Sequence, residues 1–163
     1  MASTAFAGAA PDGYTLGLAI SNLAKNPALI PNMPFDLARD LVPVALVAKG
    51  TYALSVHPAV SAQNVQQLLA LVHTAPDMFN ASAAGAGSPG HLAVAQLNAM
   101  AGINVMPMHL KGGAPAMNAA VGGETQIMLT SYTTMTPLVQ AGRLRLLAVT
   151  GPNAHVRCPT HPQ

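Results

Sequence analysis

The chain has 163 residues, of which 51% are apolar and 7% charged, and its formal net charge is +2 at pH 7; the usual charged share is about 25%. The basic residues are scattered, only Arg143 and Arg145 lying close together, which is too little for a phosphate-backbone footprint and excludes nucleic acid as a partner. No apolar run reaches the ~20 residues of a bilayer span, and the start "MASTAFAGAA" lacks the basic flank and the apolar length of a signal peptide.

In chain order, "PDGYTLGLAI" predicts a turn at Pro11-Asp12-Gly13 and a strand over 14–20. Pro27, Pro31 and Pro34 break the next stretch into short turns, and "DLARDL" predicts a brief helix. "VPVALVAKG" and "TYALSVHP" predict two strands around Lys49-Gly50. Ser61 is the expected cap of a helix with the apolar stripe Val65, Leu68, Leu69 and Val72. From there strands and helices alternate: "MFNASA" strand, "SPGHLAVAQLNAMAG" helix, "INVMPMHL" strand, "GGAPAMNAAVGG" helix, "TQIMLTS" strand, "TTMTPLVQAG" helix, "LRLLAVTG" strand. Ser88 reads as an N-cap, Pro89 as the first helical residue and Gly102 as the stop. The alternation predicts an α/β fold, a parallel sheet with helices on both faces. Ligands in such sheets sit at the carboxyl ends of the strands, here the loops 81–89, 109–114 and 129–134.

The stretch "NASAAGAGSPGHLA" contains Gly85, Gly87 and Gly90, the G-x-G-x-x-G spacing of a dinucleotide loop. No acid lies about 20 residues on to hold a ribose; the next is Glu124. Three readings remain: a dinucleotide site, a tight turn and nothing more, or an anion site built from free backbone N–H groups at a helix N-terminus. The last needs no cation and suits so neutral a chain, with Ser82 and Ser88 adding hydroxyls. "HLKGGAPA" offers a second helix entrance, where Lys111 supplies a point charge or is simply a solvated lysine in a turn. His57, His73, His91, His109, His155 and His161 never fall at one-turn spacing on a helix, so no metal site is expected. No cofactor is expected either. Cys158 is alone and reads as an incidental thiol.

The blocks "PDGYTLGLA", "NPALIPNMPFD", "LVPVALVA", "NASAAGAGSPGHLA", "KGGAPAMNAAVGGETQIML" and "VQAGRLRLLAVTG" resemble, in the same order, the periplasmic substrate-binding receptors of tripartite tricarboxylate transporters, the Bug or TctC-like proteins. The resemblance covers about residues 8–151. It implies a two-lobed periplasmic-binding-protein fold with a parallel or mixed sheet that closes on a small carboxylate: a di- or tricarboxylate, an aromatic acid or an amino acid. It also implies a membrane permease as partner, a periplasmic location and no chemistry. Carried over by position, ligand contacts are expected from Ser82, Ala84, Gly85, Gly87 and Ser88, from Lys111 and Gly112, from Thr130 and Ser131 at the end of "TQIMLTS", and from Ser21 and Asn22 in "ISNLAKNP". His91 is expected to support the loop rather than touch ligand.

Some family features are missing. No opening strand with a "PGG" loop precedes "PDGYTLGLA", Leu110 stands for a usual Tyr, Thr130 and Ser131 stand for an Asp-Asn pair, and the similarity fades into "PNAHVRCPTHPQ". The chain therefore reads as a fragment: a partial first lobe over 1–47, a second lobe over 48–150 and a divergent tail over 151–163. Exposed strand edges of the partial lobe are expected to favour a homo-oligomer. The competing functions are a remnant without high-affinity binding and a serine hydrolase using Ser88 and His91, although no G-x-S-x-G elbow is present.

Overall fold

The computed structural model describes residues 5, 7–19, 23 and 32–151. The chain forms two compact units, Met1–Ala48 and Lys49–Gln163.

In the first unit, helix α1 is the single turn Leu37–Asp40. The Asp36 carboxylate caps it by accepting from the N–H groups of Ala38 and Arg39 at 2.9 and 3.1 Å. A hydrogen bond from the Arg39 side chain holds the Asp40 carboxyl below its ordinary range. The strands expected over 14–20 and 42–48 are not formed among the described residues. Both segments run without regular structure, and Tyr14 and Val42 are 91% and 85% exposed. Alternating apolar residues suit a sheet face, but a strand exists only through hydrogen bonds to a neighbour, and among the described residues no ladder joins these segments to one.

The second unit is built on five strands: β1 Tyr52–Val56, β2 Asn80–Ala83, β3 Met106–His109, β4 Ile127–Ser131 and β5 Arg145–Val149, in the spatial order β3-β2-β4-β1-β5. β2 pairs in parallel with β3 and β4, whereas β1 pairs antiparallel with β4 and β5. The sheet is therefore mixed, one of the two arrangements that the family resemblance implies, and not the parallel one read from alternation alone. Periodicity reports which face of a strand is buried and is blind to its direction.

Between the strands lie α2 Val65–Thr74, α3 Pro89–Ala101, α4 Gly113–Gly122 and α5 Tyr132–Gln140. Asn64, not Ser61, caps α2: its side chain accepts from Gln67 N–H at 2.9 Å while Gln67 Oε1 accepts from Gln63 N–H at 2.7 Å. This is close to a capping box, and it draws the helix start three residues past the serine. α3 begins and ends at its sequence signals, with Ser88 as cap, Pro89 in the first position and Gly102 in the left-handed region at φ 63°. Asn98 locks its last turn to the next strand, donating to Val105 O at 2.9 Å and accepting from Val105 N–H at 3.1 Å.

Strand alternation sorts the core into two layers. Leu54, Val56, Ala81, Ile127 and Leu129 face Leu68 and Val72 of α2 and Val94 of α3. Ala53, Met128 and Leu146 face Ala116 and Ala120 of α4 and Met135 of α5. Burying a side chain such as Leu68, fully inaccessible to solvent, stabilises by about 1.5–3 kcal/mol. Arg145 ties the loop before α2 to β5, donating to the carbonyls of Val60 and Ala62 at 2.7 and 3.3 Å. No described helix is long and apolar enough to cross a membrane.

Candidate functional site

The two core layers locate the site. β2 and β4 are parallel neighbours, yet the helix after β2 packs on one face of the sheet and the helix after β4 on the other. Chains that diverge in this way leave a crevice at the carboxyl ends of the two strands, where open α/β sheets bind ligands. β3 ends at the same edge, since it is parallel to β2. β1 begins there, and Tyr132 N–H donates to Thr51 O at 3.0 Å. Burial raises the Tyr52 phenol above its ordinary value, so it is a neutral group at this edge.

The first loop, Ala84–Ser88, joins β2 to α3. Ser88 N–H donates to Gly85 O at 3.2 Å, closing a turn whose Gly87 has φ 70°. The Ser88 hydroxyl oxygen accepts from His91 N–H at 3.3 Å, which leaves its own proton free to donate outward. Gly87 N–H donates to His91 Nδ1 at 3.0 Å. At Gly90 the helix runs so close to β4 that a β-carbon would stand 2.8 Å from Leu129 O. The spacing Gly85, Gly87, Gly90 is thus explained by turn geometry and helix–strand contact, with no dinucleotide needed.

The second loop, Leu110–Gly112, lies beside the first. Leu110 N–H donates to Ala83 O at 2.8 Å, and a β-carbon on Gly85 would stand 3.8 Å from Leu110 O. Gly112, at φ 115°, precedes α4, and among the described residues no side chain caps that helix. Its first-turn N–H groups have no intrahelical acceptor, so they face outward with the positive end of the helix dipole. Lys111 is exposed beside them. The third junction is Ser131, whose hydroxyl pairs with that of Thr133 at 2.8 Å and does not cap α5. What this edge offers is backbone N–H groups, hydroxyls and one lysine, a donor set for an anion.

The expected contact residues divide by placement. Ala84, Gly85, Gly87, Ser88, Lys111, Gly112 and Ser131 are brought to one edge. Thr130 is on β4, opposite Ala53 and half-buried. Ser82 is 1% exposed, on the sheet face that carries α4, and its hydroxyl has no hydrogen-bond partner among the described residues. It is not presented to solvent, because in β2 it occupies the face of its register partner Met128. Ser21, Asn22 and Cys158 lie outside the described residues. The structure adds a contact that spacing missed: the rings of His91 and His109 are 4.7 Å apart and perpendicular. They meet because β3 lies beside β2 with His109 opposite Ala83. Among the described residues no three metal-capable side chains cluster. The serine-hydrolase pairing is not made: Ser88 bonds the backbone of His91, and His91 Nδ1 is occupied by Gly87.

A family model described as "Tripartite tricarboxylate transporter family receptor" matches residues 1–163. The chain belongs to this receptor family. Among curated relatives it is 34% identical over 150 residues to a UPF0065 protein of Bordetella bronchiseptica, covering 91% of this chain and 44% of that protein. It is 30% identical over 162 residues to the protein BugT of Bordetella pertussis, covering 97% of this chain and 49% of that one. Among solved structures, a periplasmic transporter superposes with a TM-score of 0.83 at 29% identity, over 92% of this chain and 51% of its own. The periplasmic binding protein BugD superposes with 0.80 at 27%, over 92% and 50%. The protein Rpa4515 of R. palustris, solved with adipate, superposes with 0.69 at 28%, over 76% and 43%. The receptor chain spans about half the length of the curated relatives it matches.

Proposed function

We propose that the chain is part of a periplasmic solute-binding receptor that holds a small carboxylate at the edge formed by Ala84–Ser88, Lys111–Gly112 and Ser131, for delivery to a transporter permease. The observation that carries this reading is the divergence of α3 and α5 to opposite faces beside uncapped helix N-termini. Membership of the receptor family supports it, as does adipate in the Rpa4515 structure. A carboxylate there is held by neutral donors, with Lys111 adding one charge.

The edge of the second unit is open, with Ala84, Ala86 and Lys111 at its surface. Tight binding of a small ligand requires burying most of its surface, so the chain by itself is expected to bind carboxylates more weakly than micromolar. Calorimetry against adipate, malate and citrate tests both statements. Weak heat that saturates and is lost in Ser88→Ala supports the site. Micromolar affinity would contradict the open edge, and the same weak heat from wild type and Ser88→Ala would contradict the site.

A further inference from the structure

The ring of His91 has two neighbours whose roles the carboxylate site does not use: the Gly87 N–H it accepts from, and the His109 ring perpendicular to it. An N–H group can only donate. A ring nitrogen that accepts from it must carry no proton, so His91 is neutral here with its hydrogen on Nε2. In this state one N–H of the anion-facing loop is spent inside the protein.

We infer that His91 is a protonation-controlled latch on this loop: neutral, it withholds the Gly87 N–H; protonated, it releases that donor and adds a positive charge beside the helix N-terminus. An imidazolium carries N–H at both nitrogens, so its Nδ1–H would point at the Gly87 N–H and the bond must break. The turn itself survives, because Ser88 N–H to Gly85 O and His91 N–H to the Ser88 hydroxyl do not involve the ring. Both consequences act in one direction, toward stronger anion binding as pH falls through the range of about 5 to 8 in which histidine ordinarily changes charge.

The strands packed against α3 are β2, β3 and β4. β2 (Asn80–Ala83) and β4 (Ile127–Ser131) carry no titratable side chain, and β3 carries His109 alone. Lys111 follows two residues later. Among the described residues of these strands His109 is the one ionisable side chain, and its ring touches that of His91, so two imidazolium rings there would repel each other.

The latch rests on the carboxylate reading only for its consequence, so two measurements separate them. The first uses the full chain with no added anion: amide and imidazole nitrogen spectra from about pH 8 to 5. The expected result is an Nε2–H tautomer of His91 at high pH and a Gly87 amide that titrates together with that ring. A Gly87 amide that stays still while His91 titrates, or an Nδ1–H tautomer, overturns the latch. The second uses sulfate, whose charge is constant over this range, as the probe. Affinity is expected to rise about two- to tenfold as pH falls, to lose that dependence in His91→Phe and to keep it in His109→Phe. Dependence lost only in His109→Phe overturns the latch, whereas a titrating Gly87 with no sulfate binding at any pH leaves the latch standing and overturns the anion site.

Discussion

Gly90 and Leu129 fix how α3 sits on the sheet. A β-carbon on Gly90 would lie 2.8 Å from the Leu129 carbonyl oxygen, and backbone cannot step aside as a side chain can. Gly90→Ala is therefore expected to destabilise the unit by about 1–3 kcal/mol. Gly113→Ala, in the first turn of α4 where a β-carbon meets nothing within 4 Å, is expected to stay within about 0.5 kcal/mol of wild type. Urea denaturation of the two variants checks the contrast; equal stability would show that α3 is not pinned there.

Ser88 is a cap as well as a candidate contact. Ser88→Ala removes the acceptor for His91 N–H and is expected to cost about 1 kcal/mol. Ser88→Asp keeps the cap but places a negative charge where an anion should sit. Its stability is expected to match wild type within about 0.5 kcal/mol while carboxylate binding is lost. Thermal melts and calorimetry on both variants separate folding from binding.

Asn98 exchanges two hydrogen bonds with Val105. Asn98→Ala leaves a buried carbonyl and N–H of Val105 without partners, at a cost of about 1–3 kcal/mol. The loss is expected to appear in hydrogen exchange first at the start of β3, and it fails if protection there is unchanged.

Lys111 is the single cation at the edge among the described residues. Lys111→Ala is expected to weaken a dicarboxylate by a few-fold at low ionic strength, and the difference should vanish as salt shortens the Debye length to about 3 Å at 1 M. A salt-independent loss would mean that the lysine acts through folding.

Parts of this architecture are legible in the residues themselves. "SPGHLAVAQLNAMAG" carries its cap, its proline and its stop within one segment, and α3 follows them. α2 is harder to place because Ser61 and Asn64 are both cap types, and the deciding signal, Asn64 with Gln67 three residues on, lies in local hydrogen bonding. The antiparallel setting of β1 is not legible, because alternation is the same in either direction. Tyr14, Leu16 and Leu18 pattern as a strand without pairing as one. At the site, the loops are legible as strand ends before helix starts. The burial of Ser82 and the meeting of His91 with His109 are not, because both depend on which strands become neighbours.

The most direct test of the carboxylate site is a titration of the chain with adipate, followed residue by residue in amide spectra. The shifts are expected to concentrate on Gly85, Ser88, Gly113, Ala114 and Thr133 and to saturate together. Shifts centred instead on the opposite end of the sheet, around Met78 and Met106, or no saturable shift at any of these amides, would contradict it.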